Sequence, residues 1–412
     1  MAPQQPSQIM SRPDWSSDLP EPEHLQSIGK RLASSHDAAS FRSVCSEWRA
    51  AVPFKSFAPL LLLPFGPESE KVTFYSVSEE EVFSVPLPDD VRGKKVPCGA
   101  SRGWLALMDE AASVTLFNPF TGGRVELPPA DEHVAEASLL CVSKVEGKWV
   151  LDPEEDARVV KLEEVRDVFF HEIVLSAPPY PGRDCVAIAV LPNSTMLAFC
   201  RVGVDSAWTL LDTNLECSVE CVIHCQEKIY AVDITGDISI CHCNNAAPTA
   251  TLVPSLSAPA DVCHRSYMES DGELHLVGIM MMMLDEQRFT YNTVVYRCDY
   301  LLLDKTPVWS MVDDVGDLTL LVSKDFNENF SGPSVSKYKR NSIYFSEALY
   351  RGQTNVLRYE IIDIATDASK VVCVHGNVEP SHVLPLCWFR PNIWMGGELS
   401  RSKYHEEDKS SK

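Results

Sequence analysis

The chain has 412 residues, 45% of them hydrophobic and 23% charged, which is enough apolar material for a large buried core and too much for a disordered chain. Its formal net charge of -22 at pH 7 repels phosphate backbones, so nucleic acid is excluded as a main partner. The N-terminus, MAPQQPSQIMSRPDW, has no apolar signal core, and the longest apolar runs (59–65 and 277–284) are far shorter than the roughly 20 residues that span a bilayer. These features predict a soluble protein of the cytoplasm or nucleus. Its 14 cysteines should then be reduced, and its sequons at Asn193 and Asn329 unused.

Residues 1–13 are rich in Pro, Gln and Ser and are expected to be disordered. A helical segment follows, over about 14–55. Leu25, Ile28 and Leu32 fall at i, i+3 and i+7, one face of a first helix. Ser34 and Asp37 form an S-x-x-D box that can start a second helix, on which Phe41, Val44, Cys45 and Trp48 make another apolar stripe. Pro53 ends it. Two helices of this length are marginal in water, so their leftover apolar surface must dock, either on the rest of this chain or on another protein.

From Phe57 the texture changes to short β runs separated by turn residues, such as KVTFYSV, GWLALMD, CVAIAVLP and KIYAVDI. WTLLD at 208–212 recurs as WSMVD at 309–313, and KIYAVD at 228–233 is echoed by SIYFSE at 342–347. Such weak repetition, at four strands per blade, predicts a mainly β fold: a β-propeller of about six blades, seven being the alternative count. The domain should span 57–396. An acidic stretch at about 131–167 breaks the strand rhythm and is expected to be a surface insertion, and 397–412 is expected to be a disordered tail.

The N-terminal string LP…HLQSIGKRL…DAASFRSVCSEWRAAV resembles an F-box, the module that binds the Skp-type adaptor of cullin–RING ubiquitin ligases. Its most specific part is FRSVCSEWRAAV. By position, Leu19 and Pro20 match the opening Leu-Pro of the family. Leu25, Ile28 and Leu32 match the adaptor-facing stripe, and Phe41, Val44, Cys45 and Trp48 match the later helix. His24 departs from the pattern, standing where a leucine is common. The remainder, from about Phe57 to Met395, with strings running from SRGWLAL and LFNPFTGGRVELPP to PLCWFRPNIW, is similar to the kelch-like propeller domain that follows F-boxes in a large plant family. The resemblance implies a non-catalytic substrate receptor of an SCF-type ubiquitin ligase. Its partners would be the adaptor, the cullin and RING subunits reached through it, and a protein substrate. A propeller scaffold outside any ligase, or a small-molecule-binding propeller, are the competing readings.

Other constellations argue weakly for chemistry. Cys217, Cys221, His224 and Cys225, with Cys241, His242 and Cys243, are the best metal candidates, but strand spacing explains them as buried core. No metal and no cofactor are expected. The chain has no G-x-S-x-G elbow, P-loop or dinucleotide fingerprint. Met280–Met283 reads as the continuation of a strand, and Lys337, Lys339 and Arg340 as a solvated basic loop. Asn118, Pro119, Thr121 and Gly122 read as a turn.

Overall fold

A computed structural model describes residues 22–29, 41, 48 and 58–392, apart from 139, 141, 152–156, 181, 227, 244–246, 259–263, 271, 286–287, 301–305, 324–325, 327–329, 334–337, 352–353 and 375–385. The chain divides into two compact units, Met1–Ser56 and Phe57–Lys412. Among the described residues no helix is long and apolar enough to cross a membrane.

The second unit is a β-propeller. Its described strands form seven sheets, six of which are blades. Blade 1 pairs β1 (Leu60–Leu62), β2 (Lys71–Ser76) and β3 (Glu81–Pro86) with β28 (Cys387–Phe389). Blade 2 runs from β4 (Val96–Ser101) to β7 (Arg124–Glu126). The small sheet of β8 (Val142–Val145), β9 (Lys148–Leu151) and β10 (Arg158–Val159) comes next. Blade 3 runs from β11 (Glu172–Leu175) to β14 (Thr209–Asp212), and blade 4 from β15 (Val219–Cys225) to β18 (Thr249–Leu252). Blade 5 runs from β19 (His264–Ser270) to β22 (Pro307–Val312). Blade 6 holds β23 (Leu318–Ser323), β24 (Phe330–Pro333), β25 (Ser342–Arg351), β26 (Thr354–Asp363) and β27 (Ser369–Cys373), and includes a parallel pair, β23 with β25.

Six hydrophobic clusters decide the blade number, because each is the interface between two neighbouring blades. Leu60, Leu62 and Phe74 pack on Leu105 and Phe117, joining blades 1 and 2. Cys98 and Ala106 pack with Ile173 and Ala187, joining blades 2 and 3. The remaining clusters join blades 3 and 4, 4 and 5, 5 and 6, and finally 6 and 1. The ring closes at the sixth interface. The small sheet takes no place in it, because β4 and β11 meet directly: a Cβ at Gly99 would collide with the Ile173 carbonyl oxygen and lie 3.0 Å from the Ile173 nitrogen.

The sequence repeats have a structural meaning. Trp208 and Trp309 both stand at the outermost strand of their blade. Each donates its indole N–H to a backbone carbonyl just after the outermost strand of the preceding blade: Trp208 to Pro128 O at 2.7 Å, Trp309 to Leu256 O at 2.8 Å. The Ile-Tyr strands are the second strand of blade 4 and, in blade 6, β25, which follows β23 and β24. The repeated pair is therefore the last strand of one blade and a strand of the next.

The segment after blade 2 packs rather than trails. Asp131 caps helix α2 (Glu132–Ala137; α1 is described below) by accepting from the Val134 N–H at 3.0 Å. Trp149, fully buried, donates to Ala111 O at 3.2 Å and packs its ring against Phe169, tilted by 57° with centroids 4.8 Å apart. The small sheet thus sits over the outer part of the blade 2–3 interface.

Closure joins distant parts of the chain. Leu61 lies opposite Trp388 in the β1–β28 pair. Because side chains alternate along β1, Leu60 and Leu62 serve the interface with blade 2, while Leu61 and Leu63 serve the one with blade 6. Trp388 is fully buried and its indole N–H reaches both Val322 O (3.1 Å) and Tyr344 O (3.0 Å), locking the closing strand to blade 6. Beyond β28, Asn392 accepts from Asn118 Nδ2 through its backbone carbonyl (2.6 Å), donates through Nδ2 to Arg102 O (3.0 Å), and meets the Tyr180 hydroxyl. Asn118 does form the expected turn, accepting from Phe120 and Thr121 N–H, and in addition fastens the last described residue of the closing segment to blade 2.

Candidate partner-binding surfaces

In the N-terminal unit the described helix α1 spans Pro22–Gly29, with proline at the first helical position, where its missing N–H costs nothing, and glycine at the end. The expected apolar face divides in two. Leu25 is buried, at 3% exposure, whereas Ile28 is 42% exposed, so of this pair only Ile28 presents an apolar side chain to solvent. Phe41 and Trp48 are both helical, and their rings lie 4.2 Å apart, as the i, i+7 spacing requires; Phe41 is buried and Trp48 half-buried. Leu19, Pro20, Leu32, Val44 and Cys45 lie outside the described residues.

The cysteine groups fall on blade 4 as the alternation of a strand dictates. Cys221 and Cys225 face the interface with blade 5, while Cys241 and Cys243 face the one with blade 3. Two pairs on opposite faces of one sheet cannot converge on one tetrahedral ion. Burial pushes the Cys225 and Cys243 thiols up to about 11 and Cys241 to about 12, which keeps them protonated at neutral pH. His224 points elsewhere: its Nδ1 lies 3.2 Å from the Arg102 guanidinium, so it accepts there.

The basic cluster is neutralised where it is described. Lys339 pairs with Asp363 at 2.7 Å and Arg340 with Asp317 at 2.8 Å; Lys337 lies outside the described residues. Met280–Met283 continue strand β20 (Glu273–Asp285), whose partner is β21 (Arg288–Tyr300). Phe326, which follows β23 of blade 6, packs into the interface of blades 1 and 2, and the Arg166 guanidinium lies 4.9 Å from its ring.

A site that sequence reasoning missed lies at the closing interface, where blades 6 and 1 diverge into a groove of about 510 Å³. Its walls follow from strand register. On blade 6, Tyr344, Ile361 and Lys370 lie side by side across three strands, and Tyr359 and Val372 form the adjacent pair. On blade 1, Tyr75 lies opposite Val82, and Val77 and Glu80 come from the turn that joins their strands. The floor is aromatic: Tyr344 and Tyr359 stack at 6.0 Å, Tyr75 is 6.2 Å from Tyr359, and Trp388 closes the stack from behind. Burial raises the Tyr75 and Tyr359 hydroxyls above the ordinary tyrosine range, with the Glu80 carboxylate adding to the effect, so both stay protonated. Glu80 and Lys370 stand exposed on opposite blades. A run such as YEIIDIA carries no sign of such a groove, because its other wall comes from residues nearly 300 positions away.

The model of the KIB1-4 beta-propeller family matches residues 74–373, most of the second unit. The chain belongs to the KIB1-4 beta-propeller family. Among its relatives, F-box protein SKIP23 of Arabidopsis thaliana is 24% identical over 368 residues, covering 82% of this chain and 86% of that protein. F-box protein At2g17036, also of Arabidopsis thaliana, is 24% identical over 340 residues, covering 76% and 78%. In this KIB1-4 propeller, the family match begins inside β2 and ends with β27, so it takes in the blade 6 wall of the groove and the β2–β3 part of the blade 1 wall.

Proposed function

We propose that this protein is the substrate-receptor subunit of an SCF-type ubiquitin ligase in the cytoplasm or nucleus. Its N-terminal unit is an F-box that docks on a Skp-type adaptor, and its propeller holds a target protein. The observation that carries this reading is the conjunction of a KIB1-4 propeller with relatives that bear the F-box name over most of their length. The FRSVCSEWRAAV string before the propeller agrees with it.

In this role the chain makes and breaks no bonds. It raises the effective concentration of target lysines beside the charged conjugating enzyme, turning a bimolecular encounter into an intramolecular one. Ile28 is the adaptor contact in α1, since an exposed isoleucine gains most from a partner's groove, roughly 25 cal/mol for each Å² covered. Leu25 holds the helix in place from its buried side.

The test is co-purification of the full chain with a Skp-type adaptor and cullin. Capture of both, lost in Ile28→Asp, supports the assignment. A folded chain that captures no adaptor overturns it, and points to a propeller scaffold outside any ligase.

A further inference from the structure

Propeller receptors can bind through either end or through the side, so the groove between blades 6 and 1 needs its own argument. Three observations bear on it. The first is the floor: Tyr75, Tyr344 and Tyr359, largely buried, line the bottom of a space of about 510 Å³, within the range of roughly 300–1,000 Å³ usual for ligand sites. Aromatic floors of this kind favour a flat or apolar side chain, held by offset or edge-on ring contacts.

The second is the rim. Glu80 and Lys370 line the groove from opposite blades, and neither has an ion-pair partner among the described residues. Nearby charges behave differently: Lys339, Arg340, Arg358 and Asp363 are all paired. A carboxylate on one side and an ammonium on the other, both left open, match a ligand that carries the opposite charges in fixed order.

The third is backbone geometry. Glu80 adopts φ 57°, the left-handed region that non-glycine residues rarely occupy. This tight turn between β2 and β3 fixes the Glu80 backbone at the rim, as similar turns fix Glu146 (φ 50°) and Gln226 (φ 49°) elsewhere in the chain.

We propose that this groove is a peptide-binding site for a segment of a partner protein in which one basic and one acidic side chain flank an aromatic or large apolar residue. The central side chain enters the tyrosine floor, the basic one meets Glu80 and the acidic one meets Lys370. In the receptor reading above, on which this assignment of purpose rests, the segment is the recognition element of the target. Because one wall belongs to the blade completed by β28, the site exists only in the closed ring.

The test uses fluorescein-labelled pentapeptides and the full chain: Gly-Arg-Trp-Asp-Gly, its reversed order Gly-Asp-Trp-Arg-Gly, and the neutral Gly-Gln-Trp-Asn-Gly. Fluorescence polarisation should show saturable binding of one charged order in preference to the other, with the neutral peptide weaker than both. Glu80→Asn and Lys370→Gln should each weaken the preferred peptide by about two- to fivefold, the worth of one exposed ion pair. The double swap E80K/K370E should reverse the preference between the two orders. Both side chains are exposed, so the melting temperature of each variant should stay near that of the native chain. Equal binding of all three peptides, no saturable binding up to millimolar protein, or a double swap that leaves the preference unchanged overturns the proposal. Adaptor co-purification is measured on the same samples: its loss sinks the receptor reading alone, while its retention without peptide binding sinks the groove alone.

Discussion

Gly99→Ala is the most direct test of a six-bladed ring. The new Cβ would lie 3.0 Å from the Ile173 nitrogen and 3.2 Å from its carbonyl carbon, with the carbonyl oxygen nearer still, and all three are backbone atoms that cannot rotate away. Restoring the ~3.5 Å separation of unbonded heavy atoms requires β4 and β11 to part by roughly 1 Å. That parting stretches the bond from Leu175 N–H to Ser101 Oγ, now 3.1 Å, and the weaker one from Arg102 Nε to Leu175 O, now 3.4 Å. Overpacking of this kind costs about 1–3 kcal/mol, and one loosened hydrogen bond about 1 kcal/mol more. Alanine recovers about 0.5–1 kcal/mol by restricting the unfolded chain. The net loss is about 1–3.5 kcal/mol, a fall of several degrees in melting temperature at roughly 2–4 °C per kcal/mol. Differential scanning calorimetry of the full chain measures it. Gly122→Ala is the control, because its Cβ meets nothing within 4 Å and it bears only the strain of φ +69°, about 1–2 kcal/mol. A Gly99→Ala protein as stable as the native one would mean that another blade separates β4 from β11, and the ring argued above would be wrong.

Trp208→Phe and Trp309→Phe should cost similar amounts, about 1–3 kcal/mol each, because each leaves the preceding blade's carbonyl without its donor; urea midpoints check this, and a neutral result at either site would break the repeat. Ile28→Asp should abolish adaptor capture without lowering the melting temperature, whereas Leu25→Asp should destabilise its unit by about 2–4 kcal/mol; equal melting behaviour of the two variants would contradict their different burial. Burial holds the His275 imidazole below its ordinary value of 6.5, so the unfolded chain binds a proton that the folded chain refuses as pH falls past that value. Stability should therefore drop as pH falls below about 6.5, by at most about 1.4 kcal/mol per pH unit from this group, and His275→Gln should flatten that slope in urea titrations.

Strand count, strand character and the WTLLD/WSMVD repetition follow from local pattern, which is why a propeller of about six blades was legible in residues alone. So was the placement of Cys221 with Cys225 and of Cys241 with Cys243, since alternation along a strand is a local rule. The Phe41–Trp48 contact follows in the same way from helical spacing. Leu25 and Ile28 show where that rule stops: equal spacing puts them on one stripe, but only packing decides that the first is buried and the second exposed. The acidic stretch after blade 2 likewise looked like a break in rhythm, because its short strands are held by Trp149 and Phe169 against the blades on either side of it rather than by their own periodicity. Ring closure, the Asn392 clasp and the tyrosine groove rest on pairs such as Leu61 with Trp388 and Tyr75 with Tyr359. No local pattern encodes a contact across some 300 residues; tertiary structure decided those, because only the closed ring brings the first and last strands into one sheet.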